Sequence, residues 1–393
     1  MHIALLGRQP AISIAELEQA YGDVAWFSDT SALINNDQPI DIQHLGGTQK
    51  LGRVVLEMPV KDWRTISMKI VQHYAKSWSS YDGKITLGIS VYGLDIDTRD
   101  IQKTGLVLKS KLKPTSASLR LVPNQDLALS TATSHHNKLG LSDNKVELLV
   151  VRGRSKIIIA ESTGSQNITA LAARDQGRPR RDAFVGMLPP KLAQIMLNLA
   201  GPLQADPTSD LPQPRILDPF CGTGVLLQEA MLLGYGAYGT DLAEKMIRFS
   251  RDNLNWLQET QHVTGHWYLH EGDATDTQWQ HPIAAVVAET YLGQPFSAPP
   301  SSSKLTEVRG NCNHIISQFL KNLSTQIPSG TPVVIAIPAW KDTYGNFTHL
   351  QLINKLDTLG YEQVHLQTVS SEQLLYFRPD QVVAREILVL KKA

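Results

Sequence analysis

Asp218-Pro219-Phe220-Cys221-Gly222-Thr223-Gly224 follows the apolar run Arg215-Ile216-Leu217 and opens into Val225-Leu226-Leu227-Gln228-Glu229-Ala230-Met231-Leu232-Leu233. The succession reads as strand, glycine turn and helix. Two glycines let backbone approach a ligand closely. A dinucleotide fingerprint has a further glycine in the first helical turn and seats pyrophosphate on the helix N-terminus. Here Leu227 takes that place, and Asp218 ends the strand. A carboxylate there repels phosphate and suits a cationic amine. S-adenosylmethionine (SAM) has such an amine and no phosphate. The turn therefore predicts a SAM site, with Asp218, Phe220, Gly222 and Gly224 as cofactor contacts.

Two more acids fall at suitable spacing. Gly236-Ala237-Tyr238-Gly239-Thr240 reads as a second strand ending in Asp241, and His266-Trp267-Tyr268-Leu269-His270 as a third leading to Asp273. Asp241 is placed to accept from both ribose hydroxyls, the role of the acidic residue in nucleotide folds. Asp273 is placed to accept from the adenine amino group. Each acid alone also reads as a helix cap or a solvated loop residue; acids at three successive strand ends favour the cofactor.

The 393 residues suffice for two or three domains with real cores, and the formal net charge is zero. No global basic excess announces nucleic acid, so that reading rests on local patches. Cys221 and Cys312 are the only cysteines. They give no disulfide framework and no metal-ligand spacing, so no metal is expected. The opening apolar run is too short for a signal peptide, and nothing approaches membrane-spanning length. A cytoplasmic protein without a membrane partner is the expectation.

Patterning predicts strands over 3–6, 53–58, 84–92, 118–122 and 146–152, and helices over 63–76, 104–113 and around 132–138. Ser13-Ile14-Ala15-Glu16 reads as a capping box opening a short helix that stops near Gly22. A linker is expected over 163–181, a helix over 191–199 after Pro189-Pro190, and a proline-rich loop over 202–214. Strands over 283–288 and 332–337 then alternate with helices over 304–323 and 350–359. Final strands over 362–369 and 384–390 suggest an antiparallel pair at one end of a parallel sheet. The fold class is α/β, with a class I (Rossmann-like) methyltransferase domain preceded by α+β modules.

Between Ile101 and Gln125 stand Lys103, Lys109, Lys111, Lys113 and Arg120 and no acid. The linker adds Arg174, Arg178, Arg180 and Arg181 against Asp175 and Asp182. Such clusters neutralise phosphates without moving the net charge, and arginine forks match phosphate geometry. Lys109, Lys111, Lys113 and the four arginines are the candidate RNA contacts; a solvated helix face with a flexible basic loop is the alternative.

Several stretches together resemble THUMP-domain tRNA guanosine methyltransferases. They are Leu5-Leu6-Gly7-Arg8-Gln9-Pro10 with Ser13-Ile14-Ala15-Glu16-Leu17, Ser134-His135-His136-Asn137-Lys138-Leu139, the segment 174–191 with Gly186-Met187-Leu188-Pro189-Pro190-Lys191, the glycine turn, and the tail Arg378-Pro379-Asp380-Gln381-Val382-Val383-Ala384-Arg385-Glu386-Ile387. The resemblance implies a ferredoxin-like domain over 1–80, a THUMP RNA-binding domain over 81–165, a linker and the start of the catalytic domain over 166–190, and a SAM-dependent methyltransferase domain over 191–393. It implies methylation of the 2-amino group of a tRNA guanosine, typically position 10, and in some members a small zinc-binding activator subunit.

The chain departs from that pattern at the loop after the fourth strand. The pattern there is Asp or Asn, two prolines and an aromatic; this chain has Glu289-Thr290-Tyr291-Leu292-Gly293-Gln294-Pro295. Glu289 stands for the acid and Tyr291 for the aromatic, which makes them the candidate catalytic residues. Glu289 and the Thr290 carbonyl would hold the two amino hydrogens while Tyr291 stacks on the base. Two alternatives stay open: methylation of another tRNA or DNA amino group, and a tRNA-binding protein that has lost transfer activity.

Overall fold

The computed structural model describes residues 1–182, 188–205 and 211–393. The resembling residues Gly186 and Met187 and part of the proline-rich loop lie outside the described residues. The chain divides into two compact units. The first comprises Met1–Pro10, Asp23–Gln43 and Thr48–Ala170; the second comprises Ala11–Gly22, His44–Gly47 and Leu171–Ala393.

In the first unit, β1 (His2–Leu6), β2 (Val24–Ser28), β3 (Ser31–Ile34), β4 (Thr48–Pro59), β5 (Gly83–Tyr92), β6 (Ala117–Leu121), β7 (Lys145–Arg152) and β8 (Lys156–Ser165) form one sheet in the order β2-β3-β1-β4-β8-β7-β5-β6. Helix α1 (Pro10–Tyr21) counts with the second unit from Ala11 onward. Helices α2 (Trp63–Ser77) and α3 (Thr98–Leu112) cover one sheet face, and α4 (Thr131–His136) follows. Ile66, Ile70 and Tyr74 recur at helical spacing on α2, as do Ile101, Leu108 and Leu112 on α3; all pack with Ile85, Leu87 and Ile89 of β5. Each such burial contributes about 1.5–3 kcal/mol. Helix α3 starts six residues before the predicted position because Asp97 caps it, accepting the Arg99 N–H at 2.8 Å. Inside the unit Lys50 is buried and ion-paired with Glu147, and it donates to the Leu129 carbonyl at 2.7 Å.

The capping box is not formed. Helix α1 starts at Pro10, whose fixed φ suits a first helical position. Glu16 is therefore mid-helix and buried, and its carboxylate accepts the N–H groups of Gly46 and Gly47 at 2.8 Å each and the Asn198 amide at 2.7 Å. The expected linker also contains the last strand residues of β8 and a helix, α5 (Ile168–Gln176).

The second unit continues with α6 (Pro190–Leu199), β9 (Arg215–Asp218), α7 (Val225–Leu232), β10 (Gly236–Asp241), α8 (Glu244–Gln261), β11 (Trp267–Glu271), β12 (Ala285–Glu289), α9 (Ser302–Ser324), β13 (Pro332–Lys341), β14 (Phe347–Thr348), β15 (Tyr361–Gln363), β16 (Leu375–Tyr376) and β17 (Val383–Lys392). The sheet runs β11-β10-β9-β12-β13-β17-β15, with β14 on β13 and β16 on β17. Pairings from β11 to β13 are parallel, and β17 is antiparallel to both β13 and β15. The helix expected over 350–359 is two 3-10 turns, Gln351–Lys355 and Asp357–Leu359, closed by Gly360 at φ 87°. The strand expected over 362–369 shortens to β15. No helix among the described residues is long and apolar enough to cross a membrane.

Candidate functional site

Strand order reverses between β9 and β12: β10 and β11 extend to one side and β13 to the other. Open α/β sheets bind ligands at such a switch, outside the carboxyl ends of the strands. A cleft of about 940 Å³ lies there, in the size range of small-molecule sites. The ends of four adjacent strands line it with Asp218, Asp241, Asp273 and Glu289, together with Phe220, Gly222 and Tyr291. The structure thus gathers in one place every predicted cofactor and catalytic residue except Gly224. That glycine is the N-cap of α7 at φ 78°, and a Cβ there would lie 2.9 Å from Ser250 Oγ.

Asp218 is buried, and its Oδ1 accepts the Phe220 N–H at 3.1 Å. Burial first, then the charges of Asp241 and Glu289, push its carboxyl well above the usual carboxylate range. A cationic amine beside it would relieve that cost, so the donor set fits the amine of SAM. Asp241 accepts the Gly222 N–H at 2.9 Å on Oδ2 and the Ala243 N–H at 2.9 Å on Oδ1. Each oxygen keeps a lone pair for a ribose hydroxyl. Burial raises this carboxyl too, partly offset by those bonds. Asp273 Oδ1 accepts from the Thr275 N–H at 2.9 Å and the Thr275 hydroxyl at 2.7 Å.

Helix α8 holds the glycine turn, which sequence reasoning missed. The Ser250 hydroxyl donates to the Gly222 carbonyl at 2.7 Å, and the Asn253 amide to the Thr223 carbonyl at 2.8 Å. Asn253 also bonds the Arg180 backbone in both directions, at 2.9 and 3.0 Å. Lys245 pairs with Asp182 at 2.7 Å, and both line the cleft.

At the end of β12, Glu289 is ion-paired with Arg385 of β17, their side chains 15% and 9% exposed. The Thr290 N–H and hydroxyl both donate to the Ala336 carbonyl, at 3.0 and 2.9 Å. Tyr291 is 41% exposed. Sequence reasoning assigned Arg385 no role. Its signal was two adjacent charges, Arg385-Glu386, directly before the apolar run Ile387-Leu388-Val389-Leu390 of the same strand.

The arginine linker does not act as one patch. Arg174 is buried and forks onto Glu229 of α7 at 2.7 and 3.2 Å, and Arg178 is buried as well. Neither is exposed on the surface. Arg180 and Arg181 are exposed, and Arg180 pairs with Asp252 at 2.6 Å. Lys109, Lys111 and Lys113 are exposed at the end of α3 in the first unit.

Comparison with known proteins matches residues 178–339 to the family described as UPF0020: RMKL-like, methyltransferase domain. The tRNA (guanine(10)-N2)-dimethyltransferase of Methanothermobacter thermautotrophicus is 29% identical over 170 residues, 43% of this chain and 44% of that protein. The Pyrococcus abyssi protein of the same name is 32% identical over 123 residues, 30% of each chain. The matches thus span less than half the length of these relatives. The crystal structure of TrmN from Thermus thermophilus shares the fold over 100% of this chain and 99% of that one, with a TM-score of 0.51 and 15% identity. The match to the RMKL-like methyltransferase model is confined to residues 178–339, the stretch that holds the cleft-lining residues.

Proposed function

We propose that this protein transfers the methyl group of SAM to the exocyclic 2-amino group of a guanosine in tRNA, at position 10 by analogy with the named relatives. The observation that carries the reading is the convergence of Asp218, Asp241, Asp273 and Glu289 on one cleft at the switch point of the sheet. Asp218 would take the cofactor amine, Asp241 the ribose and Asp273 the adenine amino group. SAM supplies a methyl group already activated on a sulfonium. Glu289 and the Thr290 carbonyl would accept the two amino hydrogens, aiming the nitrogen lone pair at the methyl carbon. In transfer the N–C bond would form as the S–C bond breaks, the electron pair would pass to sulfur, and the nitrogen would release one proton to water. Catalysis is then mostly alignment.

The parts over 1–80 and 81–165 would act as ferredoxin-like and THUMP modules that grip tRNA, with Lys109, Lys111 and Lys113 on phosphates. The cytoplasm is the location proposed for the reaction. A small zinc-binding activator subunit is carried over from the family resemblance alone, and no residue is assigned to it.

A second reading, tRNA binding without transfer, is favoured by Glu289 already having a partner in Arg385. Tritiated-methyl transfer from SAM to bulk tRNA and to duplex DNA separates the readings. Label in tRNA supports the proposal, label in DNA moves the substrate, and binding of both SAM and tRNA without transfer favours the second reading.

A further inference from the structure

We propose that Arg385 is a positioning residue for methyl transfer, fixing the Glu289 carboxylate so that Oε2 faces the substrate amine. The inference rests on the functional reading above. No proline lies between Glu289 and Gln294 to stiffen this loop, so its rigidity must come from contacts.

Glu289 has a long arm with three rotatable torsions. Left free, its carboxylate would sample positions far wider than the ~1 Å tolerance of an aligned site. Two contacts remove that freedom. On the backbone side, the Ala336 carbonyl takes both the N–H and the hydroxyl of Thr290. On the side-chain side, Arg385 Nε donates to Glu289 Oε1. Arg385 reaches it across β13, where Glu289 lies opposite Ala336 and Arg385 opposite Pro338. Glu289 lines the cleft, and Arg385 is not among the lining residues. Among the described residues Oε2 accepts no hydrogen bond, which makes it the oxygen open to a ligand.

The neighbouring charge is occupied elsewhere: Glu386 pairs with His349 at 2.7 Å. A buried ion pair is weak evidence for stability, because apolar residues of similar volume often do as well. Its placement on a cleft-lining carboxylate points to alignment.

The test is a mutant cycle on the full chain, reading kcat, the KM for tRNA and the SAM Kd. Arg385→Met is expected to lower kcat ~10²-fold, with KM and Kd within about threefold of wild type. Arg385→Lys keeps the charge and loses the planar guanidinium that donates through Nε, and should recover part of that loss. In a Glu289→Gln background, Arg385→Met should lower kcat by less than about threefold further, because its partner's charge is already gone. Should Arg385→Met fail to fold, Arg385→Lys carries the cycle: a fall in kcat with Glu289 intact, and almost none in the Glu289→Gln background. Full kcat in both Arg385 variants, or losses that multiply in the double variant, overturn the inference while leaving the functional reading intact. A wild-type protein that transfers no methyl overturns both.

Discussion

Gly222 donates its backbone N–H to Asp241 Oδ2 at 2.9 Å, so the glycine turn after β9 and the acidic end of β10 form one hydrogen-bonded unit. Loss of the Asp241 carboxylate therefore disturbs two things, the proposed ribose contact and the turn. Asp241→Ala is expected to weaken SAM by roughly 1–3 kcal/mol. Asp241→Asn should cost less, because it keeps one acceptor oxygen. Isothermal calorimetry decides it, and unchanged SAM affinity in Asp241→Ala would remove the ribose assignment.

Gly224 caps α7 with φ 78°, and a Cβ there would lie 2.9 Å from Ser250 Oγ. Gly224→Ala combines a left-handed backbone penalty with a steric one, so a loss of about 1–3 kcal/mol is expected. Urea denaturation followed by circular dichroism reads it. Wild-type stability in this variant would show that the turn tolerates a side chain.

Burial pushes the Glu16 carboxyl from 4.5 to about 7, against the hydrogen bonds from Asn198, Gly46 and Gly47. Between those two values the folded state holds a proton that the unfolded chain has released. The group's contribution is fully present below pH 4.5, declines as pH rises, and is lost above about 7. The change is on the order of 3 kcal/mol. Glu16→Gln cannot offer two oxygens to Gly46 and Gly47 and should be less stable throughout. Its deficit should be larger at acid pH and shrink towards neutrality. A deficit independent of pH would contradict the assignment.

The basic residues should split into two kinds. Replacing Lys109, Lys111 and Lys113 with alanine should leave SAM binding alone. It should weaken tRNA binding and flatten its salt dependence by roughly 0.7–0.9 for each phosphate no longer neutralised. Arg174→Ala breaks a pair whose side chains are 10% and 1% exposed, so it should cost stability, about 3–5 kcal/mol. A fully stable Arg174→Ala protein with weakened tRNA binding would return Arg174 to the RNA-binding set.

Legibility followed locality. The strand–turn–helix at Asp218, the acids at the next strand ends and the amphipathic helices α2 and α9 are written in contiguous residues. Physical chemistry of a short window was enough for them. The 3-10 turns at 351–359 show the same apolar spacing as an α-helix, and spacing alone does not separate the two. Residues Ala11–Gly22 and His44–Gly47 belong to the same unit as α6, and no window of sequence carries that relationship. The roles of Glu16, Asn253 and Arg385 were hidden for the same reason, since their partners lie far away along the chain. Arg174 misled because an exposed arginine and one folded onto Glu229 look alike in sequence.

Nucleoside mass spectrometry of unmodified tRNA, after incubation with SAM and either the wild type or Glu289→Ala, tests the central claim most directly. The wild type should produce N2-methylated guanosine. Glu289→Ala should produce it ~10²-fold more slowly while binding SAM as before. Methylation of a different base atom, or equal rates from the two proteins, would contradict the account.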